Sequence, residues 1–246
     1  ERFGFRLSKH TENLIKTALK MKLFDRLTGT RLYEEFDLIF KENNPVAVLR
    51  RLDESGLLGV VHTSLKLTDR LEALLSNIYD VLHWFELLFT EEHPDQPIMY
   101  LMALLCELEE SQMEEAMGRL MVPPRVREQA VQNMKKARKA LNSLPGEKPS
   151  DVYATLSPLK LEALLFAMAL TRSEEKKKDI SQYLLEMRKT RPLLTGNDLK
   201  KLGIPPGPAY SKVLNDLLME RLNGTLVNRE DEIAFVRTQT GSNTAA

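Results

Sequence analysis

The sequence predicts an all-α protein, a multi-helix elongated arm of packed antiparallel helices with short loops and no significant sheet. Apolar residues recur at three- and four-residue spacing in nearly every segment, as amphipathic helices require. Ser, Thr and Asn precede several of these segments, where their side chains can accept hydrogen bonds from free backbone N–H groups. Strand patterns are almost absent, because Leu58–His62 and Thr225–Val227 are too short to build a sheet.

The N-terminal half is predicted to hold five helices. The first three begin at cap residues: Ser8 for a helix to about Lys22, Thr28 or Thr30 for the second, and Asn44-Pro45 for a third that Gly56 ends. Two further helices, Leu71 to Phe89 and Ile98 to Leu108, carry apolar residues on all sides. Such helices are expected in the core rather than on the surface.

The chain changes character after Pro123-Pro124. Residues 125–144 form a basic amphipathic helix, and Pro145 to Pro149 is a linker. The remaining predicted helices are Leu159–Leu170, Glu174–Lys189 capped by Ser173, a short one capped by Thr195 and Asp198 and ended by Gly203, Ala209–Arg221, and one from Asn228 to about Arg237. Residues 238–246 are expected to be disordered.

Charge is unevenly distributed, although the chain as a whole is neutral. Residues 77–118 contain ten acidic residues and no Lys or Arg, whereas residues 119–229 contain 21 basic and 11 acidic residues. This asymmetry suggests a polyanionic partner. Solvated helix faces that neutralise one another across the fold would explain the charges equally well, and both interpretations stay open on charge alone.

Motifs for catalysis or metal binding are missing from the sequence. There is no Gly-rich phosphate loop, no GxSxG elbow, and the four histidines are scattered. The single cysteine, Cys106, lies in an apolar helix and is expected to be an inert thiol. We therefore predict no catalytic residue and no metal ligand in this chain. With one cysteine, no apolar span of about 18 residues and no leader, we expect a cytoplasmic protein without a membrane partner.

The basic helix is the first candidate site, because its cations have a single acidic neighbour, Glu128, within residues 119–144. A helix face of this kind can neutralise several phosphates. Aromatic residues are sparse there, so recognition of structured RNA through its backbone and shape fits better than stacking on single-stranded bases. The candidate RNA-binding residues in this region are Arg125, Arg127, Lys135, Lys136, Arg138 and Lys139.

A second candidate site surrounds the turn from Gly203 to Pro208. Gly207 precedes a helix whose free N-terminus suits a phosphate, and Lys200, Lys201 and Lys212 are nearby. From the spacing alone, a helix–turn–helix held rigid by its prolines is at least as good an interpretation.

Several sequence runs resemble class II tRNA nucleotidyltransferases, which are the CCA-, CC- or A-adding enzymes, and their bacterial poly(A) polymerase relatives. The most specific run, PLLTGNDLKKLGIPPGP from Pro192 to Pro208, resembles the family's C-terminal segment together with VLNDLL at 213–218 and Asn223-Gly224. Looser similarity to the family's neck is found in Arg2 to Phe5, in TRLYEEF at 30–36, in Asn44-Pro45 and in LDESGLL at 52–58.

The resemblance implies a neck-like region at residues 1–60, a helical body at 61–145 and a helical tail at 150–237. It also implies that this chain grips the tRNA acceptor stem and elbow through backbone contacts. The family's catalytic head, with its Mg²⁺ and its ATP or CTP, would precede Glu1 and act as a covalent partner domain. Residues 1–5 contain no Met and no cap residue, so we expect a fragment of a longer enzyme that is inactive alone. The alternative is a non-catalytic helical protein-interaction or oligomerisation module.

Overall fold

The computed structural model describes residues 8–204 and 207–242. They form helices joined by short loops, with three short 3₁₀ segments (Leu23–Arg26, Leu58–Val60 and Met187–Lys189) and no strand within the described ranges. The predicted all-α fold is thus confirmed. The helices are α1 (Lys9–Lys20), α2 (Gly29–Phe40), α3 (Pro45–Glu54), α4 (Asp69–Glu86), α5 (Gln96–Leu105), α6 (Glu110–Arg119), α7 (Pro124–Ser143), α8 (Pro149–Leu156), α9 (Leu161–Leu170), α10 (Glu174–Leu185), α11 (Gly196–Lys201), α12 (Pro208–Leu222) and α13 (Arg229–Ser242).

The cap residues expected from the sequence begin the helices that they were assigned to. Ser8 accepts a hydrogen bond from Thr11 N at 3.2 Å, and Asn44 accepts one from Ala47 N at 3.2 Å. Of the two threonines considered for α2, Thr28 is the cap, accepting from Arg31 N at 3.4 Å. Each of these bonds satisfies a backbone donor that has no partner inside the helix.

Several helices differ from the prediction. Helices α6 and α8 were not predicted as separate elements, and α4 and α5 end earlier than expected. The last helix continues to Ser242 instead of ending at Arg237, so residues 238–242, expected to be disordered, are helical. No Gly or Pro interrupts the chain between Asn228 and Gly241, so no residue in that interval breaks the helix. The motif at Arg2 to Phe5, Pro205-Pro206 and residues 243–246 lie outside the described residues.

The chain divides into two compact units, residues 1–139 with 159–171 and residues 140–158 with 172–246. This division differs from the predicted boundary at the Pro145–Pro149 linker, because α9 belongs to the first unit. Six of the ten α9 residues are buried, and Asn77 of α4 donates a hydrogen bond to Ala169 O at 3.1 Å. A helix that is apolar on all sides must be surrounded by other elements, and α4 and α5 supply them.

The core of the first unit is built around α4 and α5. One face of α4 is buried, including Leu75, Ile78 and Phe85, and every α5 residue from Ile98 to Leu105 is buried. The prediction that α4 is core on all sides is wrong, since His83 and Leu87 are exposed. Its opposite face is free because α3, α5 and α9 pack against α4 on the side that carries its leucines.

Gly29 lies where the start of α2 meets the end of α6. Arg119 donates hydrogen bonds to Leu27 O and Phe24 O, each at 3.0 Å, which holds the preceding 3₁₀ segment against α6. A Cβ atom on Gly29 would lie 2.4 Å from Arg119 O and 2.5 Å from Met121 Cγ. The close backbone approach at this position therefore requires glycine.

Gly29→Ala is expected to lower the free energy of unfolding by about 1–3 kcal/mol, because the carbonyl of Arg119 must move to admit the methyl group. Urea unfolding followed by circular dichroism would measure the change. Gly118→Ala is the matched control, since its added Cβ meets nothing within 4 Å and alanine favours the helix. Equal stability of Gly29→Ala and the parent chain would contradict the close approach.

Candidate RNA-binding surfaces

Helix α7 presents most of its cations on a continuous solvent-facing side. Ala130, Met134 and Ala137 are buried beneath it, as the amphipathic pattern predicted. The six basic residues proposed from the sequence lie on the opposite side, where all are exposed except Arg127, which is half-buried. Helical spacing separates them into two rows, which have different surroundings.

The first row faces the acidic segment. Arg127 Nη1 lies 3.2 Å from Glu114 Oε2, and Lys135 Nζ lies 3.2 Å from Glu110 Oε1. Arg138 Nη2 donates to the backbone oxygen of Cys106 at 2.7 Å. These solvent-exposed pairs are worth at most about 1 kcal/mol each. They nonetheless give partners to three cations that the sequence analysis had treated as available to bind phosphate.

The second row comprises Arg125, Lys136 and Lys139, which we call the open basic stripe. The three side chains are exposed, and no ion pair links them to any acidic residue in the described part of the chain. Gln132 lies between them on the same side of α7, so the stripe is polar and free of acidic groups apart from neighbouring Glu128. A row of unpaired cations along one helix can neutralise successive phosphates.

Cys106 borders a groove of about 640 Å³ between the end of α5, α6 and α7. The groove is lined by both charge signs, including Arg70, Glu107 and Lys135, which is unlike a phosphate cradle. Burial raises the pKa of the Cys106 thiol to about 11, although nearby Arg138 opposes the shift. The thiol is therefore protonated at neutral pH and is a poor nucleophile, as the sequence predicted.

The second candidate surface lies in the C-terminal unit, around α11 and the start of α12. Lys200 and Lys201 are exposed in the last turn of α11, and Lys212 is exposed on α12. Gly207 precedes α12 with φ +150° and ψ −162°, a conformation that glycine adopts readily, and its Cα faces open space. The start of α12 is thus accessible from solvent, with three lysines on the two helices that flank the turn.

A small core positions this surface. Leu194, Leu199, Ile204 and Leu217 are buried together with Leu226 and Val236 from the following turn and α13. Residues Thr195 and Asp198 form the predicted capping box of α11, and Arg229 of α13 lies 2.6 Å from Asp198. Helices α11, α12 and α13 therefore form a packed three-helix unit that holds Lys200, Lys201 and Lys212 in place.

Glu232 is a buried carboxylate that the sequence analysis missed. Its side chain is fully buried and accepts hydrogen bonds from Leu193 N at 2.9 and 3.0 Å and from Leu194 N at 2.8 Å. Arg221 Nη1 lies 3.4 Å from it and supplies the opposite charge. A glutamate four residues before Val236, on the apolar side of α13, is the signal in the sequence that could have identified it.

Two partly buried carboxylates stabilise the same unit in a pH-dependent manner. Hydrogen bonds from the hydroxyl and backbone N–H of Thr195 lower the pKa of Asp198, and backbone donors of Val227 and Asn228 lower the pKa of Asp231. Because the folded state favours the charged forms, their contribution is present above the ordinary pKa of aspartate. It is lost as the pH falls through the lowered values.

Metal and membrane sites were also sought among the described residues. In residues 8–204 and 207–238, no three His, Cys, Asp or Glu side chains come together in a way that could hold a metal ion. No single described helix is long and apolar enough to cross a membrane; α8 and α9 reach that length and composition only as a bent pair.

Sequence comparison finds one matching family model, at the start of the chain. Residues 4–66 match the family model described as the probable RNA and SrmB-binding site of polymerase A. That region includes α1, whose exposed Lys9, Lys16 and Lys20 were not among the residues proposed from the sequence. The candidate residues on α7, α11 and α12 lie outside it.

Relatives with assigned activities match nearly the whole chain. An A-adding tRNA nucleotidyltransferase of Geobacter sulfurreducens is 36% identical over 240 residues, which is 95% of this chain and 27% of the relative. One from Halalkalibacterium halodurans is 26% identical over 246 residues, or 96% of this chain and 53% of the relative. The chain therefore spans between about a quarter and a half of the length of these curated relatives.

A solved structure confirms the similarity at the level of the fold. The CCA-adding enzyme of Thermotoga maritima, solved in complex with tRNA, superimposes with a TM-score of 0.76 at 26% identity over 97% of this chain and 58% of that enzyme. The resemblance seen in the sequence is thereby confirmed: nearly the whole chain is similar to a part of these tRNA nucleotidyltransferases.

Proposed function

We propose that this chain is the tRNA-binding helical portion of an enzyme that adds nucleotides to tRNA 3′ ends. The observation that carries the proposal is the open basic stripe of α7, together with the lysines of α11 and α12, in a chain whose relatives act on tRNA. Cations without acidic partners suit the backbone of a folded RNA, which is recognised through phosphates and shape.

The proposed contacts differ in how readily each cation can reach a phosphate, because some cations already have a partner in the fold. Arg125, Lys136 and Lys139 are free to approach phosphates, whereas Arg127, Lys135 and Arg138 must first separate from α6 or from the backbone at Cys106. In the C-terminal unit, Lys200, Lys201 and Lys212 would bind phosphates beside the accessible start of α12 at Gly207. The exposed lysines of α1 are added to the set, because the matched RNA-binding region includes them.

Nucleotide addition itself is assigned to the rest of the parent enzyme. By analogy with the tRNA nucleotidyltransferases that the chain resembles, the metal and the ATP or CTP would be bound by a catalytic head outside this chain. Contact with the acceptor stem and elbow of tRNA, and a cytoplasmic location, stay predictions from the sequence.

Direct binding of the purified chain to tRNA tests this proposal. We expect a labelled tRNA to bind at least tenfold more tightly than an unstructured RNA of equal length, because single strands lack the backbone shape that the surface reads. Filter binding at about 50 mM salt would measure both affinities. Equal weak binding to the two RNAs would show only a general basic surface and would contradict the proposal.

Two matched triple variants locate the contacts on α7. Replacing Arg125, Lys136 and Lys139 by glutamine is expected to weaken tRNA binding about tenfold at 150 mM salt, where charges more than about 8 Å apart are screened. Replacing Arg127, Lys135 and Arg138 changes the net charge identically and is expected to cost less than about threefold. Equal losses would indicate a long-range field and would contradict direct contact by the stripe.

A further inference from the structure

The exposed face at the C-terminal end of α4 carries large apolar side chains that the described residues leave uncovered. Phe89 is 90% exposed, more than any other described aromatic residue. Leu87 is 70% exposed, more than any other described leucine. One turn earlier, the rings of Tyr79 and His83 lie in contact on the same side of the helix, with centroids 3.9 Å apart and ring planes tilted by 36°. Spacing of four residues aligns Tyr79, His83 and Leu87 in one row, which Phe89 extends past the helix end.

The backbone holds Phe89 in this outward position. Its N–H donates to Glu86 O at 3.1 Å, and its φ of +49° lies in the left-handed region that bulky residues rarely adopt. Glycine or asparagine usually ends a helix in this way. An aromatic residue in that conformation, with its ring in solvent, indicates a role outside the folding of this chain.

The charged residues that neighbour this row along the chain are all acidic. Asp80, Glu86 and Glu91 are exposed beside it, and none of the three is in an ion pair within the described part of the chain. Residues 77–118 contain no Lys or Arg at all. Such a surface repels RNA, so it does not belong to the proposed tRNA contacts, and its apolar centre requires more than a counterion.

We propose that this face, Tyr79, His83, Leu87 and Phe89 with their acidic rim, docks a basic amphipathic helix of another protein. The apolar side of that helix would cover Leu87 and Phe89, and its lysines or arginines would meet Asp80, Glu86 and Glu91. A helix laid along an apolar row with i and i+4 spacing is a recurrent mode of recognition, and charge complementarity determines which helix is accepted. The proposal is independent of the proposed tRNA binding.

Labelled model peptides of 18 residues provide the test. One is an amphipathic leucine–lysine helix, the second replaces its lysines by glutamate, and the third replaces its leucines by glutamine. Fluorescence anisotropy with the full chain is expected to show at least tenfold tighter binding of the leucine–lysine peptide than of either other peptide. Hydrogen-exchange protection is expected at the end of α4. Equal binding of the leucine–glutamate peptide, or no binding of any peptide, would overturn the proposal.

Variants distinguish binding at this face from nonspecific binding of the peptide. Phe89→Gly combined with Leu87→Gln is expected to weaken binding of the leucine–lysine peptide at least tenfold. The fold is expected to stay intact, because glycine suits the φ of residue 89. Leu38→Gln is the control, since Leu38 is 58% exposed on α2 and should change affinity less than twofold. Glu86→Gln with Glu91→Gln should weaken binding severalfold. Unchanged binding in the first variant would overturn the proposal.

Two other measurements with the Phe89→Gly, Leu87→Gln variant separate competing occupants. If the parent chain self-associates in sedimentation and the variant does not, the face is an interface between copies and the proposal fails. If the variant loses tRNA affinity, the face belongs to the RNA surface and the proposal also fails. We expect the parent and the variant to be equal in both measurements.

Discussion

Replacing Glu232 by alanine is expected to lower the stability of the C-terminal unit by about 3–5 kcal/mol, the usual cost of removing one member of a buried ion pair. The substitution leaves the N–H groups of Leu193 and Leu194 without acceptors and leaves Arg221 without its carboxylate. An unpaired buried donor carries its full desolvation cost. The segment that leads into α11 would lose its hydrogen bonds to Glu232 of α13 and keep the contact of Arg229 with Asp198, so Lys200 and Lys201 would be held less firmly.

Hydrogen exchange resolved by mass spectrometry measures this effect in the full chain. Peptides from residues 193–237 are expected to lose most of their protection, while those from α4 and α5 keep theirs. Glu230→Ala is the control on the same helix, since Glu230 is exposed and should cost less than about 1 kcal/mol. Undiminished protection of residues 193–204 in Glu232→Ala would show that the carboxylate is dispensable there.

Binding of tRNA is expected to fall on the order of a thousandfold between about 50 and 200 mM salt, if six cations each neutralise one phosphate. The six are the proposed contacts on α7, α11 and α12 that are exposed and have no acidic partner in the described ranges: Arg125, Lys136, Lys139, Lys200, Lys201 and Lys212. Each neutralised phosphate releases condensed counterions from the RNA, so the logarithm of the affinity falls linearly with the logarithm of the salt concentration.

Variants assign that salt dependence to residues. Replacing Lys200, Lys201 and Lys212 by glutamine should reduce the slope by about three, since each lost phosphate contact removes about one. The slope is measured from tRNA titrations at four or more salt concentrations. Lys41→Gln serves as control, because Lys41 pairs with Asp37 at 2.5 Å on α2 and should leave the slope unchanged. A slope near zero for the parent chain would exclude phosphate contacts as the source of affinity.

The starts of the helices were largely predicted from the sequence. Ser8, Asn44 and Ser173 begin helices where the sequence assigned them, because an N-cap bond joins residues three apart and needs no distant partner. The capping box of Thr195 and Asp198 was predicted for the same reason. Helix ends were less well predicted, as α13 shows, since the end of a helix without a Gly or Pro depends on packing.

The sequence predicted which basic residues belong to the candidate site, but not which of them are paired. The sequence showed that residues 119–144 are basic and that one side of α7 is polar, and both features are present. It did not show that Arg127 and Lys135 pair with Glu114 and Glu110, because those acids belong to another helix. The open basic stripe is what remains after these pairs form, and so it became visible only once α6 was seen to pack beside α7.

The sequence by itself determined the helical class, most N-caps, the absence of known catalytic motifs and the similarity to tRNA nucleotidyltransferases. All of these follow from patterns within a few residues or from runs such as TGNDLKKLGIPPGP. Only the tertiary structure decided that α9 belongs with α4, that Glu232 is buried beneath Leu193, and that Phe89 faces solvent. Each of these depends on which helices meet, and the free energy of burial is set by neighbours that are distant in the chain.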